Sequence, residues 1–199
     1  MGFKSDLPAA MATDVEANEL PSLPMEIVSA IIKCLSSSIH IDDQVFAWTQ
    51  CRHLSRQVRE EVEDVFSKVH LPKTSFELDT GTSNGSISFH FHHLSDNENM
   101  ALFSTWKCWE RPTSELVIQS FESLAKTRKS IITPGHVVKL RNDVNDTEIP
   151  YKSLYPEAQK IVVDWKKLFT LYLGEYRLYS KLTRAWVSAD FNHRIDKPT

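Results

Sequence analysis

Residues 20–69 read LPSLPMEIVSAIIKCLSSSIHIDDQVFAWTQCRHLSRQVREEVEDVFSKV, and their apolar spacing predicts three short helices. The first starts around Leu23-Pro24-Met25-Glu26. Proline suits a first turn because its missing N–H would have no intrahelical acceptor there, and Glu26 meets the positive end of the helix dipole. Ile27, Ile31 and Leu35 follow at steps of four, with Val28, Ile32 and Cys34 widening the stripe. Asp42 or Asp43 supplies an N-cap oxygen for a second helix that carries Val45, Phe46 and Trp48 and runs down to Cys51 and Leu54. The third has the clearest period: Val58, Val62, Val65, Phe66 and Val69 share one side, and Arg56, Arg59, Glu60, Glu61, Glu63, Asp64 and Lys68 the other. A unit of about 50 residues buries only about 60% of its chain surface, so these helices must pack on one another and on something else.

The run Leu23-Pro24-x-Glu26-Ile27-Val28, Ile31-Ile32-x-x-Leu35, Asp42/Asp43 and Cys51-Arg52 with Leu54 resembles the F-box, over roughly a quarter of the chain. The resemblance implies a substrate receptor of an SCF ubiquitin ligase. The box would dock on a Skp-type adaptor, which connects it to the cullin scaffold, and the C-terminal part would select a target protein. Matched by position, Leu23, Pro24, Glu26, Ile27, Ile31 and Leu35 would face the adaptor, with Cys51, Arg52 and Leu54 in the later part of the same surface. Two features depart from the pattern. The loop from Ser36 to Ile41 is longer than in many boxes, and Trp48-Thr49-Gln50 replaces a more usual aliphatic run before the cysteine. The alternative is a stand-alone interaction protein whose helices pack on the rest of the same chain.

Composition narrows the classes. With 199 residues, 41% hydrophobic and 10% aromatic, the chain can bury a substantial core as one domain, or one domain plus a small module. A net charge of −3 and a pI near 6.2 lack the concentrated basic footprint that nucleic acid or an anionic membrane requires. There is no apolar run of bilayer length and no basic segment leading into an apolar signal core, so the expected setting is cytoplasmic or nuclear. Cys34, Cys51 and Cys108 are odd in number and widely spaced, which suits reduced core thiols.

Residues 1–19 have no sustained period and read as a disordered lead-in. After Leu71-Pro72 the period changes to two. Phe76 and Leu78, then Ile87, Phe89 and Phe91, alternate with polar residues about an Asn84-Gly85 turn and predict an antiparallel hairpin. Ser95-Asp96-Asn97-Glu98 has capping-box spacing, so a helix carrying Met100, Phe103 and Trp106 is expected, ending at Arg111-Pro112. Residues 113–128 fit a helix better than a strand, Thr133-Pro134-Gly135 a turn, 136–141 a strand and 142–147 a polar loop. Lys160-Ile161-Val162-Val163 reads as a short β run. Asp164 then caps a helix with Trp165, Leu168, Phe169, Tyr172, Leu173 and Tyr176 on one side, expected to close over the sheet and to continue to about residue 190 before a frayed end at Asp190–Thr199. Gly174 inside it implies a close approach or a break. The fold class is therefore α+β: an F-box-like helical module over 20–70, then a small, mostly antiparallel sheet packed against a long C-terminal helix over 71–199. The feature order of that second part also resembles uncharacterised F-box proteins of filamentous fungi.

Chemistry is thinly represented. His90 and His92 stand at alternate strand positions and could offer two metal ligands, but no further ligand has a telling spacing, so a polar sheet face accounts for them and for His93 more simply. Asp143, Asp146 and Glu148 fit a solvated loop better than a cation site. No nucleophile motif or phosphate-cradling glycine loop occurs, and the reading calls for no cofactor and no enzymatic activity. Among the aromatic residues Trp106, Trp109, Trp165, Phe169, Tyr172 and Tyr176, any that reach the surface are the expected place for a target-protein contact.

Overall fold

The computed structural model describes residues 23–80, 85–96, 98–105, 112–127 and 136–195, with side chains of the last helix described as far as Leu182. The readings of 1–19 as a lead-in, of Thr133-Pro134-Gly135 as a turn, and of Trp106, Cys108, Trp109 and Trp186 fall outside these residues and side chains.

Three helices come first: α1 (Met25–Ser37), α2 (Ile41–Thr49) and α3 (Arg56–Val65). Pro24 is the N-cap of α1, and its carbonyl accepts from the Ile27 and Val28 amides. The N-cap of α2 is His40 and not an aspartate. Asp42 and Asp43 instead lie in the first turn, where their charge still meets the dipole, and Ser38 Oγ donates to Asp43 Oδ2 at 2.7 Å. This helix also stops earlier than expected, at Thr49, and Cys51–His53 form a separate single turn. Ser55 caps α3 by accepting from the Val58 amide at 3.2 Å. Beyond Val65 the helix loosens into a wider turn over Phe66–His70, then a tight turn over Leu71–Lys73, and strand pairing begins at Thr74.

The sheet has seven strands: β1 (Thr74–Asp79), β2 (Ser86–Leu94), β3 (Met100–Ser104), β4 (His136–Leu140), β5 (Asp143–Asn145), β6 (Tyr151–Tyr155) and β7 (Lys160–Asp164). Their order is β5-β4-β1-β2-β3-β7-β6, and every pairing is antiparallel. The predicted hairpin is β1 with β2, Phe76 opposite Phe89 and Leu78 opposite Ile87, and Gly85 at its turn has a φ of 85°.

In place of the helix expected after Ser95, the described residues hold a strand, β3, and the rest of that expected helix, 106–111, lies outside them. Glu98 has a φ of 54°, which no α-helix accepts, and Ser95 and Met100 close a tight connection: the Ser95 amide donates to the Met100 carbonyl, and Ser95 Oγ accepts from the Met100 amide. Ala101 and Phe103 then point inward while Met100 and Leu102 are half-buried, a period of two in Met-Ala-Leu-Phe-Ser that outranks the capping-box spacing. The polar loop at 142–147 likewise contains a strand, β5, because a reversal at Arg141 (φ 58°) folds it back on β4. Strand β6 pairs antiparallel with β7 at the edge of the sheet, in a stretch to which the sequence pattern assigns no element.

Two further helices complete the chain, α4 (Ser114–Thr127) and α5 (Trp165–Ile195). Asp164 caps α5 as expected, Oδ1 accepting from the Lys167 amide at 3.0 Å. The helix reaches Ile195, further than the fraying expected from Asp190. It also runs through Gly174 without a break, and nothing lies within 4 Å of where a Cβ would sit, so no close approach explains that glycine. The expected closure of α5 over the sheet is met only in part. Helix α4 packs on β1 and β2, whereas α5 packs chiefly on α2, with β7 beside it. The inner face of the sheet carries Phe76, Phe89, Phe103, Val138, Leu140, Ile161 and Val163, each at most 1% exposed. These join Ile32, Trp48, Val62, Phe66, Phe169 and Tyr172 in one continuous core.

Candidate functional site: the outer face of the first helix

Helix α1 has apolar residues on more of its circumference than the described residues around it cover. Ile32 is 3% exposed, and Val28 and Leu35 pack against the core. On the adjoining side Ile27 is 48% and Ile31 46% exposed, and Leu23 and Met25 lie open just before and at the helix start. Residues four apart are neighbours on a helix surface, so Ile27 and Ile31 form one stripe at solvent, with Leu23 exposed just ahead of the helix. Cys34 extends it by a further three positions and is exposed, which corrects its reading as a core thiol; Cys51 is buried. Leu54, in the turn before α3, is 71% exposed.

The residues singled out by the F-box resemblance therefore divide. Leu23, Pro24, Glu26, Ile27, Ile31 and Leu54 are exposed, and Leu35 is half-buried at the edge of the core. Cys51 is 4% exposed, and burial raises its thiol pKa. The Arg52 guanidinium is turned inward to Glu63, with Nη2 2.6 Å from Oε1, and lies 4.4 Å from the centre of the Trp48 ring.

The inner side of the same helical group is sealed, and Trp48 seals it. Its ring is 4.6 Å from Phe66, 5.5 Å from Phe169 and 6.1 Å from Trp165, and Nε1 donates to Thr170 Oγ1 at 3.1 Å. Trp165 Nε1 in turn donates to the Glu98 carbonyl at 2.8 Å. The residue that departs from the F-box pattern is thus the one that joins α2 to α5. Glu63 closes the seam from the α3 side, taking Arg52 on one oxygen and Lys166 of α5 on the other at 2.7 Å. Burial alone would raise the Glu63 carboxyl, but the hydrogen bonds and charges of Lys166 and Arg52 together outweigh it and hold the pKa below the ordinary value.

Behind α1 lies His70, wholly buried. Its Nε2 bonds to the Ser36 carbonyl; a carbonyl only accepts, so Nε2 carries the proton. Burial lowers its pKa to about 4, aided by the charges of Arg141 and Lys73 and opposed by the bond to Ser36. The histidine strand has a different geometry from the one its spacing suggests. Pairing of β2 with β3 slips between Phe91 and His93, so alternation fails at His92, whose Nδ1 lies 2.5 Å from that of His93. Among the described residues no group of three or more His, Cys, Asp or Glu side chains is arranged to hold a metal ion. Among them, too, no helix is long and apolar enough to cross a membrane.

Against known proteins, no family model, no curated protein and no solved structure matches this chain.

Proposed function

We propose that this chain is an F-box-type receptor that docks on the Skp-type subunit of an SCF ubiquitin ligase and presents a target protein for ubiquitination. One observation carries the reading: Ile27 and Ile31 of α1 are about half exposed while Val28 and Ile32 beside them supply the core. A helix that is already anchored and still holds an apolar stripe open has surface to offer a partner. The Leu23-Pro24-x-Glu26-Ile27 start and the resemblance it carries name the partner class. On this reading the docking surface consists of Leu23, Pro24, Glu26, Ile27 and Ile31, with Leu35 at its edge and Leu54 near the start of α3. Cys51 and Arg52 act from within, by holding the turn after α2 in place. The mechanism is apposition of two proteins, with no bond made or broken by this chain.

The second reading is a stand-alone interaction protein, favoured by the burial of Trp48 against α5, which makes the helices and the rest of the chain share one core. The two readings separate by co-purification with a Skp-type adaptor. The SCF reading expects a complex that Leu23→Asp combined with Ile27→Asp abolishes while thermal stability stays within about 0.5 kcal/mol of the parent, as for exposed sites. Failure of the parent chain to bind the adaptor at micromolar concentration selects the second reading.

A further inference from the structure

On the side of the molecule formed by β5 and α5 lies a groove of about 580 Å³ that owes nothing to the α1 face. Tyr172, 1% exposed, forms its floor. Tyr176, Tyr179 and Leu182 wall it along α5, the last two being 72% and 61% exposed, and Val144 of β5 stands opposite at 60%. These apolar and aromatic walls are ringed by carboxylates: Asp143 and Asp146 from the β5 segment and Glu175 from α5. Glu175 is fixed in place, its Oε2 accepting from Thr147 Oγ1 at 2.5 Å and from Asn145 Nδ2 at 3.4 Å. Among the described residues lining the groove, none is Lys, Arg or His. Of the neighbouring described cations of α5, Arg177 and Lys181 fall by helical period on the side opposite Tyr176, Tyr179 and Leu182. The negative field extends to the floor, where burial first and then the Asp143 charge push the Tyr172 hydroxyl above its ordinary pKa.

We infer that this groove receives a segment of a partner protein bearing a lysine or arginine next to an apolar residue. Two properties of the groove select that occupant. Tyrosine faces attract a cation through the ring quadrupole, and surrounding carboxylates of one sign add charge complementarity. The exposed Leu182 and Val144 offer contact to an aliphatic neighbour, which an isolated metal ion or small polyamine would not use. Tyr172 and Tyr176 belong to the aromatic group singled out from the sequence, and Tyr179 lies outside it. The inference does not require the adaptor: the groove is formed by β5 and α5 and shares no residue with α1.

The test is an amide NMR titration of the full chain with a blocked peptide alternating leucine and lysine, beside its leucine–glutamate counterpart. The lysine peptide should shift signals of residues 143–147 and 172–182, and the glutamate peptide should not. Asp143→Asn with Asp146→Asn should weaken the lysine peptide roughly threefold to tenfold, as removal of exposed ion pairs does. Tyr179→Ala should weaken it about twofold to fivefold. Glu60→Gln with Asp64→Asn, an acidic pair on α3, should leave the affinity unchanged, as should Leu23→Asp with Ile27→Asp. Equal binding of both peptides, shifts centred elsewhere, or indifference to the Asp143 and Asp146 changes would each overturn the assignment.

Discussion

The outer face of α1 and the seam between α2, α3 and α5 are written in the same kind of sequence, apolar residues at helical spacing with charges between them, and end in opposite states. In the seam, Trp48, Val62, Phe66 and Phe169 are each at most 1% exposed. On α1, Ile27 and Ile31 keep almost half of their surface. The difference lies in what arrives from far along the chain: α5, more than 100 residues later, brings Phe169 and Thr170 to Trp48 and Lys166 to Glu63, and among the described residues nothing comparable reaches Leu23, Ile27 or Ile31. Amphipathicity marks a face that needs a cover and does not say which chain provides it.

The contrast is sharpest under truncation. Trp48→Ala should cost about 3–5 kcal/mol in urea or thermal unfolding, because the cavity opens between rings that cannot close on it. Ile31→Ser should change stability by less than about 0.5 kcal/mol. Comparable losses at both positions would mean that α1 is covered in solution by its own chain.

Next in size is the pH response of the helical group. His70 has a folded pKa of about 4 against 6.5 when unfolded, so between these values the unfolded chain binds a proton that the folded chain refuses. Stability from this site is therefore complete above pH 6.5 and falls as the pH drops from 6.5 towards 4, by at most about 3 kcal/mol. His70→Gln should flatten that limb of a stability profile. A limb of equal slope in the variant would assign it to other groups.

The smallest effect concerns the Glu63 carboxylate clamp of the seam. Glu63→Gln removes the charge that Arg52 and Lys166 share at 14% exposure and should cost about 1–3 kcal/mol at neutral pH. Its folded pKa is depressed below 4.5, so the contribution is present above that value and is lost as the pH falls through the folded pKa. The stability difference between parent and variant should accordingly narrow in acid; a difference that persists unchanged there would show that the clamp acts through packing and not through charge.

Much of the candidate site was legible. The spacing of Ile27 and Ile31 on a helix opened by Pro24 is a local property, and the structure has that helix. What the local pattern could not divide was the stripe itself, because Ile27, Val28, Ile31 and Ile32 are equally apolar and the choice of inner edge belongs to the neighbours of α1. The same ambiguity misled the reading of Ser95–Glu98, where a capping spacing was outvoted by a strand that needed β2 and β7 on either side. Tyr179, Glu175 and Asp143 were illegible as a group, since they are brought together only by α5 lying beside β5.

Sequence alone determined the helices α1 and α3, the switch to period two after Leu71-Pro72, the β1–β2 hairpin and the Asp164 cap of α5, all of which depend on residues near one another in the chain. Tertiary structure alone decided that Met100–Ser104 pairs as a strand, that Trp48 binds the helices to α5, that Cys51 and Arg52 turn inward, and that among the described residues nothing covers one face of α1. Those outcomes depend on which surfaces meet across the fold, and burial is a property of the pair that meets, which no single stretch of chain contains.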